Sequence, residues 1–120
     1  MNILPNADKA VIPLEKFTRY ILHPVKSNGK AYVFKRALGY DLSNADRLIE
    51  NIKRNLKRFE AIPKGDNGYG LKYEIVMKLL GEKGRTAYVL TSWIVEHSNG
   101  ETRLTSAYII NMNKRRVGND

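Results

Sequence analysis

The chain has 120 residues, 42% of them hydrophobic, with 21 Lys and Arg against 12 Asp and Glu, a formal net charge of +9 and no cysteine. This length and composition exclude wholesale disorder and give one modest core; no apolar run approaches the ~18 residues of a membrane span, and no signal-peptide pattern opens the chain. The missing cysteines exclude a disulfide scaffold and any thiolate metal site and fit a reducing compartment, while the charge points to a polyanionic partner.

Helical spacing up to Phe59 followed by strand alternation from Tyr69 to Met112 predicts an α+β fold, with N-terminal helices packed on a twisted antiparallel sheet of about four strands. One domain is expected over residues 1–112, and 113–120 as a basic, frayed tail. The first helix begins at Pro13, a residue favoured at a first helical position. Leu14, Phe17 and Ile21 share its apolar face, with Leu22 alongside, and His23-Pro24 stops it. Turn formers Lys26-Ser27-Asn28-Gly29 lead to a second helix, Lys30 to Leu38, with Gly39 as a left-handed cap. Ser43 is the expected cap of a third helix, with Asp46 completing a box-like start. Ile49, Ile52, Leu56 and Phe59 form its apolar stripe, and Lys53, Arg54, Lys57 and Arg58 cover the rest of its last turns.

A weak strand is expected at Glu60 to Ile62. In the first long strand Leu71, Tyr73, Ile75, Met77 and Leu79 alternate with Lys72, Glu74 and Lys78. Gly81-Glu82-Lys83-Gly84 turns the chain into a strand from Arg85 to His97, whose apolar residues on both faces make it central. Ser98-Asn99-Gly100 is a hairpin turn, and the last strand runs from Glu101 to Met112.

Two distant histidines without an acidic cluster give no metal site, and neither a glycine-rich phosphate loop nor a serine nucleophile elbow is present. His23 and Lys30 bracket the first loop. An imidazole there suits proton transfer, and a lysine suits a phosphorane-like transition state; their plainer roles are a helix stop and a solvated charge. Period two places Thr91 and Trp93 on one side of the central strand, and Arg103, Thr105, Ala107 and Ile109 on one side of the last. Thr91, Trp93, Arg103 and Thr105 would then line one surface suited to phosphates and bases. The alternative is that Thr91 and Thr105 are ordinary strand residues and Trp93 is core. Lys53, Arg54, Lys57, Arg58, Lys114, Arg115 and Arg116 add a broad electrostatic footprint.

Several motifs together resemble a family of small bacterial domains: Leu4-Pro5-Asn6-Ala7-Asp8-Lys9-Ala10-Val11-Ile12-Pro13, the Lys16–Leu22 helix, Gly29-Lys30-Ala31, Gly39, Tyr69-Gly70, Gly84-Arg85, Thr91-x-Trp93-Ile94 and Arg103-Leu104-Thr105-x-Ala107-Tyr108. That family looks like toxin domains of the Barnase–EndoU–Colicin–RelE (BECR) superfamily, found in contact-dependent growth inhibition effectors and small toxin–antitoxin proteins. The resemblance implies metal-independent RNA cleavage without a cofactor, often of tRNA, in the bacterial cytoplasm, and an acidic immunity protein or antitoxin as partner. Some such toxins also need a host translation factor such as EF-Tu.

Carried onto this chain, the resemblance makes His23, Lys30, Thr91 and Thr105 the expected catalytic residues. Arg103, Trp93, Tyr108, Lys26 and Arg36 are the expected RNA contacts. The reaction is attack of a 2′-hydroxyl on the adjacent phosphate. Competing readings are a non-catalytic nucleic-acid-binding module and a phage or mobile-element protein with an acidic protein partner. A DNase is less favoured, because most need a metal.

Overall fold

The computed structural model describes residues 1–112. A helical turn, α1 (Leu14–Lys16), continues into a π-helical stretch, Phe17–Ile21, and is followed by α2 (Lys30–Leu38) and α3 (Ala45–Asn55). Strands β1 (Ile62–Asp66), β2 (Gly70–Leu80), β3 (Thr86–Glu96) and β4 (Thr102–Ile110) complete the chain. They form one antiparallel sheet in the order β1-β2-β3-β4, the α+β architecture that the sequence predicts. The tail expected at 113–120 lies outside the described residues.

Alternation sets which face of the sheet is buried. Ile75, Met77 and Leu79 of β2, Val89 and Trp93 of β3, and Leu104 and Ala107 of β4 pack in one core with Phe17, Ile21, Leu22, Phe34, Leu38, Leu48, Ile52 and Leu56 from the helical side. Each large apolar side chain so buried contributes about 1.5–3 kcal/mol, which makes this layer the main source of stability. β3 lies between β2 and β4 and also buries Leu90 on its opposite face, hence its apolar character on both sides.

The β3–β4 pairing is not uniform. Ser92 faces Ser106, but the next residue, Trp93, faces Leu104, so Thr105 is an extra residue in β4. This β-bulge shifts the phase of alternation. Leu104 and Ala107, three positions apart, both face the core, while Thr105 projects into solvent. The expectation that Arg103, Thr105 and Ala107 share one side is therefore corrected, because strict alternation ends at the bulge.

Local hydrogen bonds set the helix ends. Pro13 is the extended residue before the first helix rather than its first turn (φ −70°, ψ 126°), and Leu14 is exposed. Leu22 N–H bonds Phe17 O across the wider π turn, and Phe17, Ile21 and Leu22 point inward. α2 has its expected bounds, with Ser27 Oγ accepting from Ala31 N–H at 2.9 Å at one end and Gly39 left-handed (φ 78°) at the other. At α3 the expected cap is corrected. Asp41, not Ser43, accepts from the Ser43 N–H at 2.9 Å, while Asn44 Oδ1 accepts from Asp41 N–H at 2.8 Å. The box starts two residues early because a 3-10 turn, Leu42–Asn44, precedes the helix.

The weak strand lies at Ile62–Asp66 rather than at Glu60 to Ile62, since Ala61 N–H bonds Asn2 O instead of a strand partner. The first residues are fixed to the far edge of the sheet as well. Val11 N–H bonds Thr102 O at 2.8 Å, Leu104 N–H bonds Val11 O at 3.0 Å, and Leu4 is buried.

Candidate functional site

Past Val11 the chain leaves β4, and the π-helical turn, the loop of residues 23–30 and the bulged part of β4 enclose a cleft of about 330 Å³. Its walls carry Lys16 and Tyr20, then Lys26, Ser27 and Lys30, then Thr105, Ser106 and Tyr108. The loop is tightly specified. His23 Nδ1 accepts from the N–H groups of Val25 at 3.1 Å and Lys26 at 3.0 Å, while Ser27 caps α2. Asn28 and Gly29 are both left-handed (φ 58° and 87°), which reverses the chain and sets Lys30 on the first turn of α2. Glycine takes that conformation without a Cβ penalty.

The electrostatics of the cleft have one sign. Among the described residues three lysines and no carboxylate line it, and none of the three forms an ion pair. Lys30 Nζ lies 4.5 Å from the centre of the Tyr108 ring, and Lys26 Nζ lies 6.0 Å from that of Tyr20. Contacts with the ring faces orient ammonium groups without neutralising them. The N-terminus of α2 adds a partial positive charge. Cations beside hydroxyls and aromatic rings, in a shallow concavity, can bind a phosphate and stabilise extra negative charge developing on it.

Of the residues expected from sequence, Lys26, Lys30, Thr105 and Tyr108 meet in this cleft. Thr91 and Trp93 do not. They are 0% and 1% exposed on the core side of β3, where Thr91 Oγ1 donates to Ile75 O and accepts from Trp93 Nε1–H, both at 2.8 Å. Groups without accessible surface touch no phosphate, so the shared surface expected for Thr91, Trp93, Arg103 and Thr105 is corrected. Arg103 stands on the opposite face of the sheet, paired with Glu101 at 2.6 Å and Glu96 at 3.7 Å. Arg36 is exposed on α2, and its carbonyl accepts from the Arg85 guanidinium at 2.9 Å.

His23 is outside the cleft lining. Its Nδ1 accepts two N–H bonds, which places the proton of the neutral ring on Nε2 and makes the residue an organiser of the loop. Lys16, Tyr20 and Ser106 were not expected from sequence. The i, i+4 spacing of Lys16 and Tyr20, beside the inward stripe, was the available signal, but it names a helix face and not what lies opposite.

Two carboxylates elsewhere are perturbed. The Asp41 carboxyl is held below its ordinary value by the Ser43 hydroxyl and backbone N–H. Asp66 is lowered by the Gly68 N–H and then by His97, whose Nε2 lies 2.7 Å from Asp66 Oδ2. Among the described residues, no group of three or more His, Cys, Asp or Glu is arranged to hold a metal ion, and no helix is long and apolar enough to cross a membrane.

Comparison with solved structures finds a fold likeness to a chain of a contact-dependent growth inhibition toxin–immunity protein complex from Klebsiella pneumoniae 342. The TM-score is 0.65, with 17% identity over 88% of this chain and 97% of that one, a likeness of fold alone. No curated protein matches. The family described as a domain of unknown function, DUF6883, matches residues 3–111, essentially the whole described fold, and the chain belongs to it.

Proposed function

We propose that this chain is a bacterial toxin domain that cleaves RNA without a metal, with tRNA as the leading substrate, and that an acidic immunity protein or antitoxin neutralises it. The observation that carries this reading is the cleft itself, where Lys16, Lys26 and Lys30 converge with no carboxylate among them. The fold likeness to a toxin–immunity complex and the net charge of +9 support the toxin reading and the acidic partner. Such a toxin acts in the cytoplasm of the cell it poisons, where tRNA is.

In the proposed reaction a ribose 2′-oxygen attacks the adjacent phosphorus and the bond to the 5′-oxygen breaks. A 2′,3′-cyclic phosphate and a free 5′-hydroxyl result. Lys30 and Lys26 stabilise the non-bridging oxygens as charge builds on them, and Thr105 and Ser106 position the phosphate by hydrogen bonds. Water takes the 2′-hydroxyl proton, and a cleft ammonium supplies one to the leaving 5′-oxygen. The role first assigned to His23 passes to these groups because His23 is not among the residues that line the cleft.

The test is to incubate the purified protein with total bacterial RNA in EDTA and resolve the products on a denaturing gel. Discrete new bands near tRNA size, absent with Lys30→Ala, are expected. Intact RNA both in buffer and in cell extract would overturn the reading and favour the non-catalytic binding module, which the lack of an imidazole among the described cleft residues also suits.

A further inference from the structure

We infer that the Tyr20 ring is a nucleobase platform beside the phosphate site, so that the cleft selects a single-stranded, unstacked nucleotide over a duplex. This rests on the proposed RNA reading and names the form of RNA that the site takes. Tyr20 is 54% exposed, a large share for an aromatic ring, yet it lines the cleft rather than standing clear of it. Among the described residues its hydroxyl has no hydrogen-bond partner that would explain its position. Its neighbours are cations: Lys26 lies 6.0 Å from its ring centre, and Lys30 shares the same cleft.

A ring face next to ammonium groups matches a base next to its own phosphate. Aromatic stacking with an adjacent positive track is how single strands are held without a sequence requirement, because every base has a π-face. Size selects further. At about 330 Å³ the cleft is at the small end of ligand sites, room for one nucleoside-sized group. A base inside a duplex has both faces covered by its neighbours and cannot reach Tyr20 without leaving the stack. Lys26 and Lys30 are exposed, so a phosphate can reach both ammonium groups as the base arrives. Thr105 and Ser106 line the same cleft and hold the phosphate of that nucleotide.

The probe is a fluorescein-labelled 2′-O-methyl RNA nonamer, which lacks the hydroxyl needed for cleavage, bound as a single strand or annealed to its complement and followed by anisotropy. Single strand is expected to bind at least tenfold more tightly than duplex. Tyr20→Ala weakens single-strand binding by roughly 5- to 100-fold and leaves duplex binding unchanged, whereas Tyr20→Phe keeps the wild-type affinity because the ring and not the hydroxyl acts. Equal affinity for the two forms, or Tyr20→Ala binding single strand as wild type does, overturns the inference. Since this probe cannot be cut, strand preference without RNA cleavage refutes the proposed nuclease alone. Cleavage that depends on Lys30, with Tyr20→Ala binding normally, refutes the platform alone.

Discussion

A single hydroxyl oxygen at Thr91 ties together three residues of two strands, donating to the carbonyl of Ile75 on β2 and accepting from the indole of Trp93 on its own strand. Valine has the same shape and neither bond. Thr91→Val is therefore expected to leave Trp93 Nε1–H and the Ile75 carbonyl short of a partner and to cost about 1–3 kcal/mol, read as a lower midpoint in urea. The same variant, once folded, should cut RNA at the wild-type rate; a rate loss without a stability loss would return Thr91 to the site. His23 poses the opposite question. If it transferred protons, His23→Ala would lose about 10²–10⁴ in rate. As the acceptor that shapes residues 25 and 26, it should lose less than tenfold in initial rate, with a lowered melting temperature.

At the scale of elements, hydrogen-bonded ends decide more than propensity does. Asp41 caps the 3-10 turn that leads into α3, and its lowered pKa fixes how that contribution responds to acid. A carboxylate whose folded pKa lies below the ordinary 3.8 adds stability that is complete above that value and is lost as pH falls through the depressed one. Asp41→Asn should lower the melting temperature at pH 7, and its difference from wild type should close as pH drops below that window. A constant difference down to pH 2 would refute the assignment. Sequence alone pointed to Ser43, because a serine three residues before an acidic residue matches the local capping pattern. What it could not display was the short 3-10 turn that moves the box upstream.

The bulge at Thr105 has the same lesson. Arg103, Thr105 and Ala107 alternate without fault on paper, and only the pairing with β3 reveals the extra residue. The central place of β3, the hairpins and the bounds of α2 were legible, since each is written in a local period or turn. The cleft was half legible: Lys26, Lys30, Thr105 and Tyr108 were anticipated. Lys16 and Tyr20 were not, because their partner across the gap is nearly ninety residues away in the chain.

For the whole molecule, the net charge of +9 makes the proposed binding of RNA depend on salt. Each phosphate neutralised on a single strand contributes about −0.7 to the slope of log K against log salt. Lys30→Ala is expected to flatten that slope by about 0.7 for the uncleavable single strand. An unchanged slope would mean that Lys30 touches no phosphate.

The bond between Val11 and β4 has a consequence for life in solution. A sheet whose last strand is bare offers its amides and carbonyls to any passing strand, including one from another copy. By bonding Thr102 and Leu104, Val11 shields the first part of that rim. Along the stretch that lines the cleft, Thr105 to Tyr108, the neighbouring lysines make two copies repel each other and discourage self-pairing. The positive charge of the cleft thereby also guards that stretch of edge against aggregation.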